Sequence, residues 1–123
     1  MNATLWQVSR KLGKPILEVA LPGVERLTGF RTAAGDYLPH RLRMLVGRYE
    51  AEELRLIRPF LAPGQTVIDA GANIGYTTRF FGEAVGETGA VYAFEPNPVV
   101  FPILEQNVAD TRQVRAFNLD LKT

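Results

Sequence analysis

The sequence predicts an α/β domain built on a parallel sheet, and three observations carry that prediction. Two short apolar runs rich in β-branched or aromatic residues, Thr66–Ala70 and Ala90–Phe94, read as strands. A glycine-containing turn, Gly71 to Gly75, joins the first of them to a segment of helical periodicity. Strand and helix then alternate as β, α, β, α, β, and strands joined through helices lie parallel with right-handed crossovers.

The elements follow in chain order. Residues 1–46 give mixed signals: a short amphipathic start (Leu5, Trp6, Val8, Leu12), a break at Pro22-Gly23, and a hairpin turning at Gly35-Asp36. They are read as an N-terminal extension, with the α/β domain spanning 47–123. Over residues 49–61, Leu54, Ile57, Phe60 and Leu61 recur at helical spacing, with acids early and bases late as the helix dipole prefers, so this is a helix lying on a core. Pro63-Gly64 stops it. The first strand is then expected to be buried on both faces. Residues 74–85 form the next helix, with Ile74, Thr77, Thr78, Phe81 and Val85 near one stripe, and Gly86 and Gly89 release it. After the second strand, Asn97 caps a helix whose first position is Pro98, while Pro102 costs that helix a hydrogen bond or shifts its start. Val114–Phe117 is the third strand.

Composition bounds the function. The chain has 123 residues, 46% hydrophobic and 22% charged, which suits one globular domain and is short for a complete parallel sheet with helices on both faces. A net charge of +1 from 14 basic and 13 acidic residues spread along the chain leaves no nucleic-acid footprint, so nucleic acid is not expected as a partner. The absence of cysteine excludes disulfides, thiolate metal sites and a cysteine nucleophile, and no metal site is expected. No stretch approaches the ~20 apolar residues of a membrane span, and residues 1–27 lack a signal-peptide core. The expectation is a cytoplasmic chain without membrane contact.

The chemistry is carried by Asp69-Ala70-Gly71-Ala72-Asn73-Ile74-Gly75, which follows a strand and opens a helix, where α/β sheets bind ligands. Gly71 and Gly75 permit tight turns and let a ligand lie against bare backbone, and the N–H groups of the next helix can receive a carboxylate. The spacing matches neither G-x-G-x-x-G nor the P-loop pattern. Asp69 would repel a pyrophosphate but suits a ligand carrying an ammonium and a sulfonium, as S-adenosylmethionine does. Glu95 ends the next strand, 20 residues after Gly75 (95 − 75), where a carboxylate can accept two ribose hydroxyls. Asp120, past the third strand, is the candidate acceptor for the adenine amino group, with Asn118 its rival. Asn73 is either a ligand contact or a left-handed turn residue. Tyr76 and Thr77 read as packing, His40 as a surface or packing residue rather than a base, and Arg41, Arg43 and Arg48 as a solvated face.

Val67 to Thr77, followed by Phe94-Glu95-Pro96-Asn97-Pro98 with Phe101, Leu104 and Asn107, resembles the FkbM-type family of class I S-adenosylmethionine-dependent methyltransferases. Asn73 stands where the commoner motif has its central glycine, as in that family, and Tyr49-Glu50 upstream is similar to it as well. The resemblance covers about residues 47–120. It implies a Rossmann-like sheet of which only the N-terminal half is present, and S-adenosylmethionine as cofactor. It implies methyl transfer to a hydroxyl of a sugar or natural product, and therefore a small-molecule or glycan acceptor. The cofactor-binding residues expected are Asp69, Gly71, Asn73, Gly75, Glu95 and Asp120; no catalytic base can be placed. The rival functions are a nicotinamide-dependent oxidoreductase half-domain and a non-catalytic α/β module. With three strands, the third is expected to keep a free edge, to leave Phe101 and Leu104 partly wet, and to promote self-association.

Overall fold

The structure, a computed structural model, describes residues 3–122; for residues 3–12 and Lys14 it describes the backbone path alone. The side chains of Leu5, Trp6, Val8 and Leu12 therefore lie outside the described residues.

Helix α1 (Ala3–Thr28) is two helical stretches joined at Gly13, whose φ of 72° and ψ of 156° interrupt the helical path. The expected break at Pro22-Gly23 is absent, because the helix runs through both residues to Thr28. Pro22 lies on the exposed side while its neighbour Leu21 is 2% exposed, so burial of one face holds the helix despite the missing N–H. The hairpin is absent too. Asp36 N–H does bond the Ala33 carbonyl in a turn, but the turn leads into helix α2 (Leu38–Leu45) rather than a strand. Pro39 sits in the first helical turn of α2, the position that favours helix entry there.

Helix α3 (Ala51–Ile57) passes into a 3-10 turn (Arg58–Phe60) with Pro59 near its start. Its core contact is narrower than the periodicity suggests: Leu54 is buried, whereas Ile57 is 39% and Phe60 79% exposed. The tightened last turn rotates Phe60 off the stripe that carries Leu54.

Strands β1 (Thr66–Ala70), β2 (Ala90–Phe94) and β3 (Val114–Phe117) form a parallel sheet in the order β1-β2-β3, with Thr66 opposite Ala90 and Val91 opposite Val114. Helix α4 (Tyr76–Val85) links the first pair and α5 (Phe101–Val108) the second. Both crossovers run the same way, and right-handed crossovers then place both helices on one face. That face holds the core, where Ala93 and Leu104 are fully buried with Ala72 and Val108, and Phe101, Val114 and Ala116 pack around them. The expectation of strands buried on both faces is corrected by this topology. Ile68, on the opposite face of β1, is 67% exposed, and the half-buried rings of Tyr92 and Phe94 stack on Phe117 on that same face. Leu104, expected to be partly wet, is fully buried, and Phe101 is half-buried.

The N-terminal elements pack over the start of α4 and α5. Phe30 and Met44 are buried with Ile74, and Tyr49, Tyr76, Val100 and Ile103 surround them. Glu25 on α1 accepts hydrogen bonds from the Thr32 N–H (3.0 Å) and hydroxyl and pairs with Arg41 at 3.4 Å, fixing the connection between α1 and α2. Arg41 is thus an internal partner of this connection, while Arg43 and Arg48 are exposed. No described helix is long and apolar enough to cross a membrane.

Candidate functional site

The turn after β1 is shaped by three residues of positive φ: Gly71 at 78°, Asn73 at 52° and Gly75 at 90°. Asparagine tolerates the left-handed region better than other side chains, which explains its place between the glycines. The turn is bolted to the end of β2, since Gly71 and Ala72 both donate their N–H to the Phe94 carbonyl at 2.9 Å. Gly75 caps α4. The two glycines face different surroundings. A Cβ on Gly71 would meet no atom within 4 Å, so its bare backbone faces open space. A Cβ on Gly75 would stand 2.8 Å from Leu104 Cδ1 and 3.3 Å from Val108 Cγ1, so this glycine serves the close approach of α4 to α5.

Glu95 follows β2 on the helix-covered side and is 8% exposed. Its Oε2 accepts the Asn73 N–H at 2.8 Å and its Oε1 accepts the Asn97 N–H at 2.8 Å. Its backbone is held as well: the Glu95 N–H bonds the Phe117 carbonyl, and Asn118 Nδ2 donates to the Glu95 carbonyl at 2.8 Å. The carboxylate is therefore oriented beside the turn, with a second lone pair on each oxygen left for a ligand. Asn73 and Glu95, distant in sequence, are brought into direct contact; the Asn73 side chain itself is exposed.

Asp69 points under the turn into the first turn of α4, where its Oδ2 accepts the Thr78 hydroxyl at 2.6 Å. Thr78 is fully buried, and this bond is a contact that sequence reading left unassigned; a hydroxyl at the third position of the helix after a strand-end acid was the available signal. Burial pushes the Asp69 carboxyl above its ordinary pKa, against the pull of the Thr78 bond. Thr77, one residue earlier, donates to Glu50 Oε2 at 3.3 Å.

Among the described residues Asp120 makes no hydrogen bond to this group. It is exposed in the segment after β3 and pairs with Lys122 at 3.3 Å. Asn118 is joined to the group through its bond to Glu95. His40 is exposed on α2, its ring edge-on to Tyr37 at 5.3 Å and to Tyr49 at 5.7 Å. Tyr76 packs edge-on against Phe30 and Tyr49 at 5.8 and 5.4 Å. Among the described residues no group of three or more acids or histidines is placed to hold a metal.

The fold is the Rossmann-like one found in class I methyltransferases. A SAM-dependent methyltransferase from Aquifex aeolicus superposes with a TM-score of 0.53 at 22% identity, covering 81% of this chain and 47% of that one. A SAM-dependent O-methyltransferase from Thermotoga maritima gives 0.53 at 24% identity, over 57% of this chain and 28% of that one. In sequence, the chain is similar to the tRNA (adenine(58)-N(1))-methyltransferase TrmI of Thermus thermophilus, with 34% identity over 91 residues, 73% of this chain and 36% of that protein. The chain thus spans about a third of the length of the curated relatives it matches. No family model matches it. The structural likenesses are likenesses of fold, and the sequence likeness is to part of a methyltransferase.

The TrmI likeness overturns the exclusion of nucleic acid drawn from net charge. A net charge of +1 sums over every face of the molecule, whereas phosphate contacts depend on local clusters of Lys and Arg.

Proposed function

We propose that this chain is the cofactor-binding part of a methyltransferase that carries a methyl group from S-adenosylmethionine to an acceptor. The observation that supports this best is the Glu95 carboxylate, fixed by two N–H donors beside the open backbone of Gly71. Glu95 would accept the ribose hydroxyls, the surface over Gly71 would take the ligand's body, and Asp69 would supply negative charge toward its ammonium and sulfonium. The cofactor supplies an activated methyl on a cationic sulfur. What the chain contributes is attack geometry: a held carboxylate and a fixed turn keep that methyl in one place for the incoming acceptor atom.

For the acceptor, the FkbM-type pattern of Asn73 and Glu95-Pro96-Asn97-Pro98 favours a hydroxyl on a sugar or natural product. The likeness to a tRNA methyltransferase favours a second reading, a nucleic-acid acceptor. Tritiated-methyl transfer to purified tRNA and, separately, to glycan and small-molecule pools separates the two. Cofactor binding is tested by titration calorimetry. Wild type should bind S-adenosylmethionine and not a nicotinamide dinucleotide, and Glu95→Ala should weaken it by ~1.5–3 kcal/mol, the scale of a lost set of charged hydrogen bonds. Unchanged affinity in that variant would remove Glu95 from the site.

A further inference from the structure

The turn is also held from behind, by a side chain outside residues 69–75. Asn107 on α5 is 1% exposed. Its Nδ2 donates to the Ile74 carbonyl at 2.7 Å and to the Arg31 carbonyl at 2.8 Å, while its Oδ1 accepts the Arg31 N–H at 2.6 Å. Both donors and one acceptor site of a single amide are thereby used. That one group joins three parts of the molecule: α5, the turn that opens α4, and the segment between α1 and α2.

The Ile74 carbonyl lies one residue beyond Asn73, whose N–H is the donor that orients Glu95 Oε2. A turn fixed by Asn107 therefore fixes that donor. On the other side, Arg31 follows Phe30, which packs on Ile74 and stands edge-on to Tyr76 at 5.8 Å. Loss of the amide would leave the Ile74 carbonyl and both backbone groups of Arg31 without these partners, so the turn and the segment would loosen together.

We propose that Asn107 is the positioning residue of the cofactor turn, and that through it occupation of the turn by S-adenosylmethionine is coupled to docking of the segment around Arg31. This rests on the cofactor reading given above. Coupling between two sites is reciprocal, so a ligand that fixes the turn also fixes the segment, and a loosened segment weakens the ligand.

The test uses Asn107→Asp, which keeps the size of the side chain and the acceptor for the Arg31 N–H but turns a carboxylate oxygen toward two carbonyls. At neutral pH this variant should bind S-adenosylmethionine about ten-fold more weakly than wild type. In wild type, S-adenosylmethionine should slow hydrogen exchange of the Arg31 amide, and in the variant that slowing should disappear. Gly82→Ala is the control for general destabilisation: its Cβ would stand 2.8 Å from Thr111 Cγ2, away from the turn, and its affinity should stay near wild type. Should Asn107→Asp fail to fold, the exchange of the Arg31 amide in wild type decides. Wild-type binding that leaves the Arg31 amide unprotected, an Asn107→Asp variant of wild-type affinity, or an equal loss in Gly82→Ala would each overturn this proposal alone. A wild-type chain that binds no S-adenosylmethionine would overturn the cofactor reading with it.

Discussion

Gly71 and Asp69 lie two residues apart and predict different behaviour. Gly71 has a φ of 78° and open space where a Cβ would be, so Gly71→Val combines backbone strain of ~1–3 kcal/mol with obstruction of the ligand's approach. Calorimetry should find no S-adenosylmethionine binding, with the circular-dichroism spectrum of a folded chain retained. Asp69 makes a pH prediction. Its carboxyl is raised by burial, so the folded state holds the proton more tightly than the unfolded state. Its contribution to stability is then full below the ordinary carboxylate pKa and is lost as pH rises through the raised folded value. Asp69→Asn should remove that part of the pH dependence, as read from urea midpoints taken at intervals from pH 4 to 7. A cationic ligand favours the ionised form, so binding should strengthen over the same rise in wild type and not in the variant. Both residues could be singled out in the sequence, because a strand-end acid before a glycine turn is a local pattern. The Asn107 clamp was not, since its partners are separated from it by up to 76 residues.

At the level of elements, the sequence marked all three strands and the helices that join them, because apolar runs and glycine stops are local signals. The start expected at Pro98 with Asn97 as cap is not found: Asn97 caps a turn through Val99 and α5 begins at Phe101, the shifted start that was one of the two effects expected of Pro102. The N-terminal region was misread where proline was taken as a helix stop. Pro22 is tolerated because Leu21 is buried against the rest of the chain, and that burial is a tertiary fact. The different duties of Gly71 and Gly75 were equally hidden, since the second depends on α5, some 30 residues later. Gly75→Ala should therefore act on packing rather than on the ligand. A methyl at φ 90° and 2.8 Å from Leu104 should cost about 2–4 kcal/mol, measured by urea denaturation. A wild-type midpoint would mean that α5 gives way without cost.

For the whole molecule, the governing fact is that both crossover helices cover the same face of the sheet. The expectation was a free edge at β3; with the order β1-β2-β3, β1 is an edge as well. Ile68, on β1, is a large apolar residue of the uncovered face and is 67% exposed. We propose that this chain associates with itself through that surface, because an apolar sheet face with two open edges attracts another chain. Sedimentation velocity should show a concentration-dependent size, and Ile68→Lys should suppress it. A single monomeric species across the concentration range in wild type would end the proposal.

The register of the sheet has a consequence for how the molecule is made. Paired residues of β1 and β2 lie 24 positions apart (90 − 66), and those of β2 and β3 lie 23 apart (114 − 91). Each strand pairs with the next one to leave the ribosome, and none waits for a distant partner. Short loops close faster than long ones, so the sheet can be laid down in the order of synthesis. The Glu95 carboxylate can meet the Asn73 N–H as soon as β2 has paired, without waiting for β3 to join the sheet.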